Sequence, residues 1–228
     1  MELEYKVVRS AKRRKLTITV ERDRAIVIHA PVGTSDEEVQ RVVDSKRQWL
    51  FEKLNHPQKY EANSHPPGKE VVNGESAPYL GRDYQIEVGE TESGEIEFGS
   101  RFMVPAARQI KRRRVLRDWY IARANEEILP RVRQHATALG VEFSAAKIVD
   151  NRYRWGSCTP RDSVHFNWRL IKAPMFVIDY VIVHELAHLL ETNHTSRFWN
   201  IVHAHTPTTE KAKAWLKEHG QVLEQDVW

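Results

Sequence analysis

The chain has 228 residues, which is enough for one large domain or two small ones with a buried core. Hydrophobic residues make up 41% of the sequence and seven residues are tryptophan, so an intrinsically disordered protein is excluded. The formal net charge of +4 permits an acidic partner but does not require one. The single cysteine, Cys158, excludes a disulfide framework.

Nothing in the sequence has the pattern of a targeting or membrane segment. Residues 1–6 contain no apolar run of the kind that a signal peptide needs. The longest apolar stretch, residues 177–190, is interrupted by Asp179 and Glu185 and is too short and too polar to span a membrane. We therefore expect a cytoplasmic protein.

The first sixty residues predict a hairpin followed by a helix. Apolar and polar residues alternate over 16–20, and a second apolar run follows at 26–28, which is typical of two paired strands. Ser35 and Glu38 have the spacing of a capping box. Behind them, apolar residues recur at helical spacing, so we expect one helix from about Asp36 to Leu54.

The next segment combines loops with short strands. Prolines and glycines punctuate residues 55–78, which indicates a loop. Two short strands are expected over 79–88 and 96–104. Residues 1–104 thus form a β-rich N-terminal region with one helix.

The second half is predicted to be mostly helical. A helical pattern runs from about Ala106 to Leu139, where Pro130 is expected to kink the helix or split it in two. Two strands follow near 147–153 and 163–170. Pro174 then opens a helix that runs to about Leu190. We expect residues 105–228 to form a second domain.

Two histidines on that last helix predict a metal site. His184 and His188 are four residues apart, which places them roughly 40° apart around the helix axis and lets both imidazoles reach one zinc ion. Glu185 lies beside them, where it can take a proton from water at the metal. The helix is apolar nearly all round, so burying these three side chains without a partner would cost several kcal/mol. A metal ion removes that cost.

A catalytic zinc site usually has three protein ligands and one open position. His194 is the preferred third ligand, provided that the chain leaves the helix before it. Asn193 suits that turn, because asparagine tolerates the left-handed conformation found at helix ends. Glu191 is the alternative, either as the third ligand or as a hydrogen-bond acceptor for a ligand imidazole.

Four segments together resemble those of the YgjP-like metallopeptidase family, which is related to the SprT-like zinc proteases. They are Arg154-Trp155-Gly156-Ser157-Cys158, Asn167-Trp168 with Leu170 to Pro174, His184-Glu185-Leu186-Ala187-His188, and Asn193-His194 with Phe198-Trp199. The resemblance implies an α+β fold, with the β-rich N-terminal region followed by a zincin-like core of helices and a small antiparallel sheet. It also implies one zinc ion on His184, His188 and His194, the catalytic glutamate Glu185, and a protein or peptide substrate.

The oxyanion that forms during hydrolysis needs a donor. Arg154 and Tyr153 precede the glycine turn at Gly156 and are the candidate transition-state stabilisers. Structural roles, in an ion pair for Arg154 and in the core for Tyr153, are the alternatives. Cys158 is expected to be a small buried side chain.

Two basic clusters, at residues 9–15 and 108–114, leave nucleic acid open as a partner. Solvated surface is the preferred interpretation of both. Two other functions remain open beside the metallopeptidase. One is a metal-dependent hydrolase of nucleotides that cleaves a phosphoanhydride. The other is a nucleic-acid-associated module with structural zinc, which would need a closed four-ligand site.

Overall fold

The computed structural model describes residues 3–20, 24–55, 70–106, 109–151 and 154–224. The fold is mixed α+β, as predicted, and divides into two units, Met1–Ser64 and His65–Trp228. The division lies before the boundary predicted at residues 104–105, because Phe102 and Val104 are buried in the same hydrophobic cluster as the helices of the second unit. Within the described ranges, no helix is both long and apolar enough to cross a membrane.

The first unit packs a three-stranded sheet against two short helices around its own small core. Its elements are β1 (Tyr5–Arg9), β2 (Thr17–Val20), β3 (Ile26–Ala30), α1 (Asp36–Ser45) and α2 (Arg47–Leu54). β2 pairs with β3 in the predicted antiparallel sense, and β1 adds to the other side of β3 in parallel. The Ser35 hydroxyl caps α1 by accepting from the Glu38 amide at 3.2 Å. The single helix expected over 36–54 is instead broken at Lys46.

The second unit begins with a four-stranded sheet in the order β4-β5-β7-β6. Its strands are β4 (Ser76–Tyr79), β5 (Arg82–Gly89), β6 (Glu97–Phe98) and β7 (Phe102–Pro105). Phe102 is fully buried and packs edge-on against Trp119 of the following helix, with 5.0 Å between ring centroids.

The longest helix of the molecule, α3 (Gln109–Leu139), follows the first sheet of the second unit. It continues through Pro130, which was expected to kink or split it. Proline removes one helix hydrogen bond, but Ile128 and Val132 on either side of it are fully buried. Their packing outweighs the lost bond, and the helix is not divided.

A second sheet, a 3-10 helix and three further α-helices complete the described part of this unit. Their bounds are β8 (Ala145–Val149), β9 (Gly156–Cys158), β10 (Ser163–Asn167), a 3-10 helix (Trp168–Lys172), α4 (Met175–Ala187), α5 (Ser196–His205) and α6 (Thr209–Glu224). The sheet order is β8-β10-β9, with β9 on an edge and antiparallel to β10. The strand expected to reach Leu170 stops at Asn167, because the Asn167 side chain caps the 3-10 helix by accepting from the Arg169 amide.

The start of α4 is held by the turn between β4 and β5. The amides of Leu80 and Gly81 donate to the carbonyls of Ile171 and Lys172 at 2.9 and 3.0 Å. Gly81 has φ of +80°, and a Cβ there would lie 2.6 Å from Pro174, which precedes α4. Only glycine allows the turn to approach α4 this closely.

The middle of α4 is tied to α3 by an ion pair. Arg131 donates to both carboxylate oxygens of Asp179 at 2.8 and 2.7 Å, and a His135 ring nitrogen lies 3.0 Å from the same carboxylate. These contacts fix the helix that carries the histidine pair.

Candidate metal centre

His184 and His188 lie at the C-terminal end of α4, with His184 in its last turn and His188 at its C-cap. Their ring centroids are 5.2 Å apart. The helix is buried on nearly all sides, as its sequence predicts, and Val183, Leu186 and Ala187 have no exposed surface. The two imidazoles therefore project from a rigid element in a fixed relation.

The chain leaves the helix earlier than expected. α4 ends at Ala187 and not near Leu190. The amides of Leu189 and Leu190 donate to carbonyls three residues back, which tightens the last turn. Asn193 does not have a positive φ, so the predicted left-handed turn there is wrong.

The tightened turn brings His194 back to the histidine pair. His194 lies directly before Thr195, whose hydroxyl caps α5 by accepting from the Phe198 amide at 3.3 Å. Its Nε2 is 3.1 Å from the Nε2 of His184. Each of the three histidines offers one ring nitrogen to a common centre, and these three nitrogens lie within 4.8 Å of one another.

This arrangement fits a transition-metal ion. Two ligands of a tetrahedral zinc at the usual Zn–N length are about 3.4 Å apart, close to the separation of the His184 and His194 nitrogens. Burial, followed by the neighbouring His188 and His194, lowers the pKa of His184 to about 3, so its ring is neutral as a ligand must be. Its Nδ1 is buried and has no hydrogen-bond partner among the described residues.

The turn also sets the proton position on His188. Its Nδ1 lies 3.2 Å from the backbone carbonyl oxygen of Glu191. A carbonyl can only accept, so Nδ1 carries the proton and Nε2 keeps its lone pair for a metal. Glu191 thus acts here through its backbone, and its carboxylate does not join the cluster of ligand atoms.

An aromatic side chain that the sequence did not single out as part of the site supports all three histidines. Phe198 is fully buried, and its ring centroid lies 5.0, 4.6 and 4.7 Å from those of His184, His188 and His194. Trp199 stacks on His194 at 5.7 Å. Phe198 follows His194 by four residues and belongs, with Trp199, to the fourth segment of the family resemblance, which is the signal in the sequence that pointed to it.

Glu185 projects from α4 toward the edge strand β9 and is only 7% exposed. A Cβ on Gly156 would lie 2.5 Å from its Cγ and 2.7 Å from its Oε1, so the glycine makes the space that this carboxylate occupies. Burial raises the pKa of Glu185 to about 8, against the opposing effects of the Arg154 charge and a hydrogen bond from the Cys158 backbone amide. A carboxylate with a pKa near neutrality can both accept and return a proton.

The predicted transition-state stabilisers lie on the loop before Gly156. Arg154 is exposed, and its charge acts on the Glu185 carboxylate. Tyr153 falls outside the described residues. Cys158 takes part through its backbone, while burial, together with the charges of Glu185 and Asp162, raises the pKa of its thiol.

Neither basic cluster is part of this centre. In the first, Arg9 pairs with Asp36, and Arg13 donates to the Thr17 hydroxyl at 2.8 Å. In the second, Arg114 lies 3.7 Å from Asp118. These contacts fit the preferred interpretation of solvated surface.

Comparison with known proteins identifies the family. The YgjP-like family model, described as a metallopeptidase domain, matches residues 14–219. Among solved structures, the metallopeptidase zymogen of Pyrococcus abyssi abylysin is 19% identical with a TM-score of 0.38, over 44% of this chain and 99% of that chain. The zymogen of Methanocaldococcus jannaschii jannalysin is 20% identical with a TM-score of 0.37, over 42% and 97%.

No curated protein matches the sequence. The family match includes both the histidine cluster and the edge strand beside Glu185. Since it spans most of the sequence, the chain belongs to the YgjP-like metallopeptidase family.

Proposed function

We propose that the protein is a zinc-dependent peptidase that holds one zinc ion on His184, His188 and His194 and uses Glu185 as its general base. The observation that carries the proposal is the buried carboxylate of Glu185, the residue after His184 on α4, which packs against Gly156 of β9 and accepts a hydrogen bond from Cys158. Family membership supports the peptidase activity. The three neutral imidazoles suit zinc.

When bound, zinc would lower the pKa of a coordinated water and polarise the scissile carbonyl. Glu185 accepts the proton of the attacking water and returns it to the leaving amine, as its raised pKa allows. The Cys158 amide holds the carboxylate in place during both transfers. Arg154 is exposed beside Glu185 and stabilises the developing oxyanion.

The edge of β9 supports an extended peptide as substrate. The Asn167 amide donates to the Trp155 carbonyl, and the Thr159 amide donates to the Ser163 carbonyl. In an antiparallel pair the residues of one strand point their backbone groups alternately toward the partner strand and away from it. The backbone groups of Gly156 and Cys158 therefore face away from β10. The Cys158 amide is taken by Glu185, which leaves Gly156 to pair with a peptide added as a further strand.

The other two functions lack a supporting observation of this kind. A structural zinc module needs four ligands, whereas the described residues group only three. The family model that matches the chain is a metallopeptidase domain, which favours a peptide over a nucleotide substrate.

The decisive experiment is the change Glu185→Gln, which keeps the shape of the side chain and removes the base. We expect the variant to hold about one zinc per chain and to melt as the parent does. Its hydrolysis of a fluorescein-labelled casein should fall by about 10²–10⁴-fold. Elemental analysis, thermal melting and turnover are measured on the same preparation.

Glu191→Gln is the matched control, because it removes a carboxylate near the histidines that does not face the cluster. Casein cleavage at the parental rate by zinc-loaded Glu185→Gln would refute the mechanism. Equal losses in both variants would do the same.

A further inference from the structure

The loop that carries Arg154 crosses the end of the strand β10. We call residues 150–155, described at 150, 151, 154 and 155, the site loop. It leaves β8, which is parallel to β10 and ends with Val149 opposite Asn167. It enters β9, which is antiparallel to β10 and begins with Gly156 opposite Phe166. The described residues at both ends of the site loop therefore lie next to Asn167.

Asn167 holds this loop at three carbonyls. Its side-chain Nδ2 donates to the carbonyl oxygen of Asn151 at 2.5 Å and to that of Arg154 at 3.3 Å. Its backbone amide donates to the Trp155 carbonyl at 2.8 Å. Asn167 is only 1% exposed, so water does not compete for these bonds.

A buried arginine anchors the first residue of the same loop. Arg169 Nη1 and Arg117 Nη2 each donate to the Asp150 carboxylate at 2.6 Å. The amide of Arg169 in turn donates to the Asn167 Oδ1 at 3.1 Å. The Asn167 side chain thus links Arg169, which holds Asp150, to the carbonyl of Arg154.

The end of the loop that Asn167 fixes is the end that meets Glu185. The charge of Arg154 acts on the Glu185 carboxylate. Gly156, one residue beyond the loop, has no room for even a Cβ against the same side chain. A shift of the loop would therefore displace both groups relative to Glu185.

We propose that Asn167 is a positioning residue for catalysis, because it holds the site loop so that Arg154 and Gly156 stay in register with Glu185. The inference rests on the proposed function, which gives Arg154 and Glu185 their roles. It adds a requirement for a primary amide at position 167. Only asparagine offers two donors for the loop and one acceptor for the 3-10 helix from a side chain of this length.

Two substitutions separate the two tasks of Asn167. Asn167→Ser and Asn167→Asp both keep an oxygen that can cap the 3-10 helix, and both lose the Nδ2 group that donates to Asn151 and Arg154. The shorter serine offers at most one O–H donor in its place, and aspartate offers none. Val164→Ala is the control for lost stability, since Val164 is fully buried on the same strand and makes none of these bonds.

The first readout is hydrogen–deuterium exchange of the zinc-loaded protein. Exchange of peptides covering residues 150–157 should rise about tenfold in either Asn167 variant and stay at the parental rate in Val164→Ala. The serine variant alone decides this readout if the aspartate variant does not fold. Parental exchange in the site loop of Asn167→Ser would overturn the proposal.

The second readout is a double-mutant cycle with Arg154→Ala, using labelled casein. Asn167→Ser should lower kcat by about 10²-fold with KM and zinc content retained, since small misplacements of catalytic groups cost this much. In the Arg154→Ala background the same change should cost clearly less, about tenfold or under, because Arg154 is gone and only the contact between Gly156 and Glu185 can still be disturbed. Val164→Ala should keep the parental kcat below its melting temperature.

An equal loss in both backgrounds, or parental kcat in Asn167→Ser, would overturn the inference. Failure of the proposed function gives a different result. In that case the parent leaves casein intact, or Glu185→Gln cleaves it at the parental rate.

Discussion

The position of Glu185 shows how much a single glycine contributes to the candidate site. Its carboxylate is buried against the backbone of β9, and Gly156 supplies the space. A methyl group at position 156 would overlap Cγ, Cδ and Oε1 of Glu185, all within 2.8 Å. The base and the strand therefore fit each other only because residue 156 has no side chain.

Gly156→Ala should consequently disable the enzyme without removing its metal. We expect turnover of casein to fall by about 10²-fold, because the added methyl displaces Glu185 from its working position. Zinc content should stay at about one per chain, as the histidines are untouched. Gly99→Ala is the control, since nothing lies within 4 Å of a Cβ there. Parental turnover in Gly156→Ala would contradict this account of the site.

A second prediction at this scale concerns the third ligand. His194→Ala should weaken zinc binding by more than about 10²-fold, which exceeds the usual effect of a group outside the ligand set. Glu191→Ala should change the affinity far less, because the His188 ring contacts its backbone carbonyl and not its carboxylate. Competition titration with a chelating dye measures both. A larger loss in Glu191→Ala would show that the ligand assignment is wrong.

Sequence reasoning reached the histidines but not their surroundings. Residues four apart on an apolar helix place His184 and His188 together by local geometry alone. The approach of Gly156 to Glu185 is a tertiary contact between a strand and a helix, and no local pattern encodes it. The same holds for Asn167, whose bonds reach back to Asn151 and Arg154 across a turn of the chain.

At the scale of elements, the ion pair between α3 and α4 fixes the position of α4, the helix that carries His184 and His188. Asp179 lies five residues before His184 and receives two hydrogen bonds from Arg131 and one contact from His135. Burial alone would raise the pKa of Asp179, but the bonds from His135 and Arg131 outweigh it and hold that pKa below the ordinary 3.8. The carboxylate therefore stabilises the folded state in its charged form.

Asp179→Asn should lower the free energy of unfolding by about 1–3 kcal/mol at pH 7, the usual value of hydrogen bonds to a charged group. The pKa is lowered on folding, so the contribution of Asp179 is complete above the unfolded-state pKa near 3.8. It is lost as the pH falls through the lower folded pKa. The difference between parent and variant should thus shrink below about pH 4.

Urea unfolding of the two proteins between pH 3 and pH 7 measures this difference. Asp118→Asn is the control, because Asp118 is more than half exposed and lies 3.7 Å from its partner Arg114. If the difference in unfolding free energy between the parent and Asp179→Asn grew as the pH fell, the proposed role of the charged Asp179 would be wrong.

The element boundaries show which patterns are dependable. The antiparallel β2–β3 pair and the Ser35 cap follow from local chemistry and were predicted. The break at Lys46 was not, because neither glycine nor proline marks it. In α3 a proline marks a break that does not occur, since the helix continues through Pro130 between buried neighbours.

At the scale of the whole molecule, the described residues form two hydrophobic clusters, one in each unit. The sheet β4–β7 belongs to the second cluster, although the sequence assigned it to the β-rich N-terminal region. Its strands contact the helices directly, as when the Tyr120 hydroxyl donates to the Pro78 carbonyl at 2.8 Å. The sequence predicted two strands, over 79–88 and 96–104, where the structure has four. Local periodicity also does not reveal which core a sheet joins.

Two fragments test this division. The fragment 65–228 should fold cooperatively and bind zinc as the whole chain does, because it keeps the entire second cluster. The fragment 105–228 should lack a cooperative transition, because it loses Phe102 and the strands that cover Tyr120. Circular dichroism and zinc content distinguish the two. A stable, zinc-binding 105–228 fragment would support the boundary predicted from the sequence.

The short edge strand β9 also bears on the tendency of the protein to aggregate. An open strand edge pairs with a peptide, and by the same chemistry it pairs with another protein's edge and starts aggregation. β9 has only three residues, and the Glu185 carboxylate occupies the outward amide of Cys158. The side chain that we propose as the base therefore also covers part of this edge, placing a filled hydrogen bond where a second sheet would begin to grow.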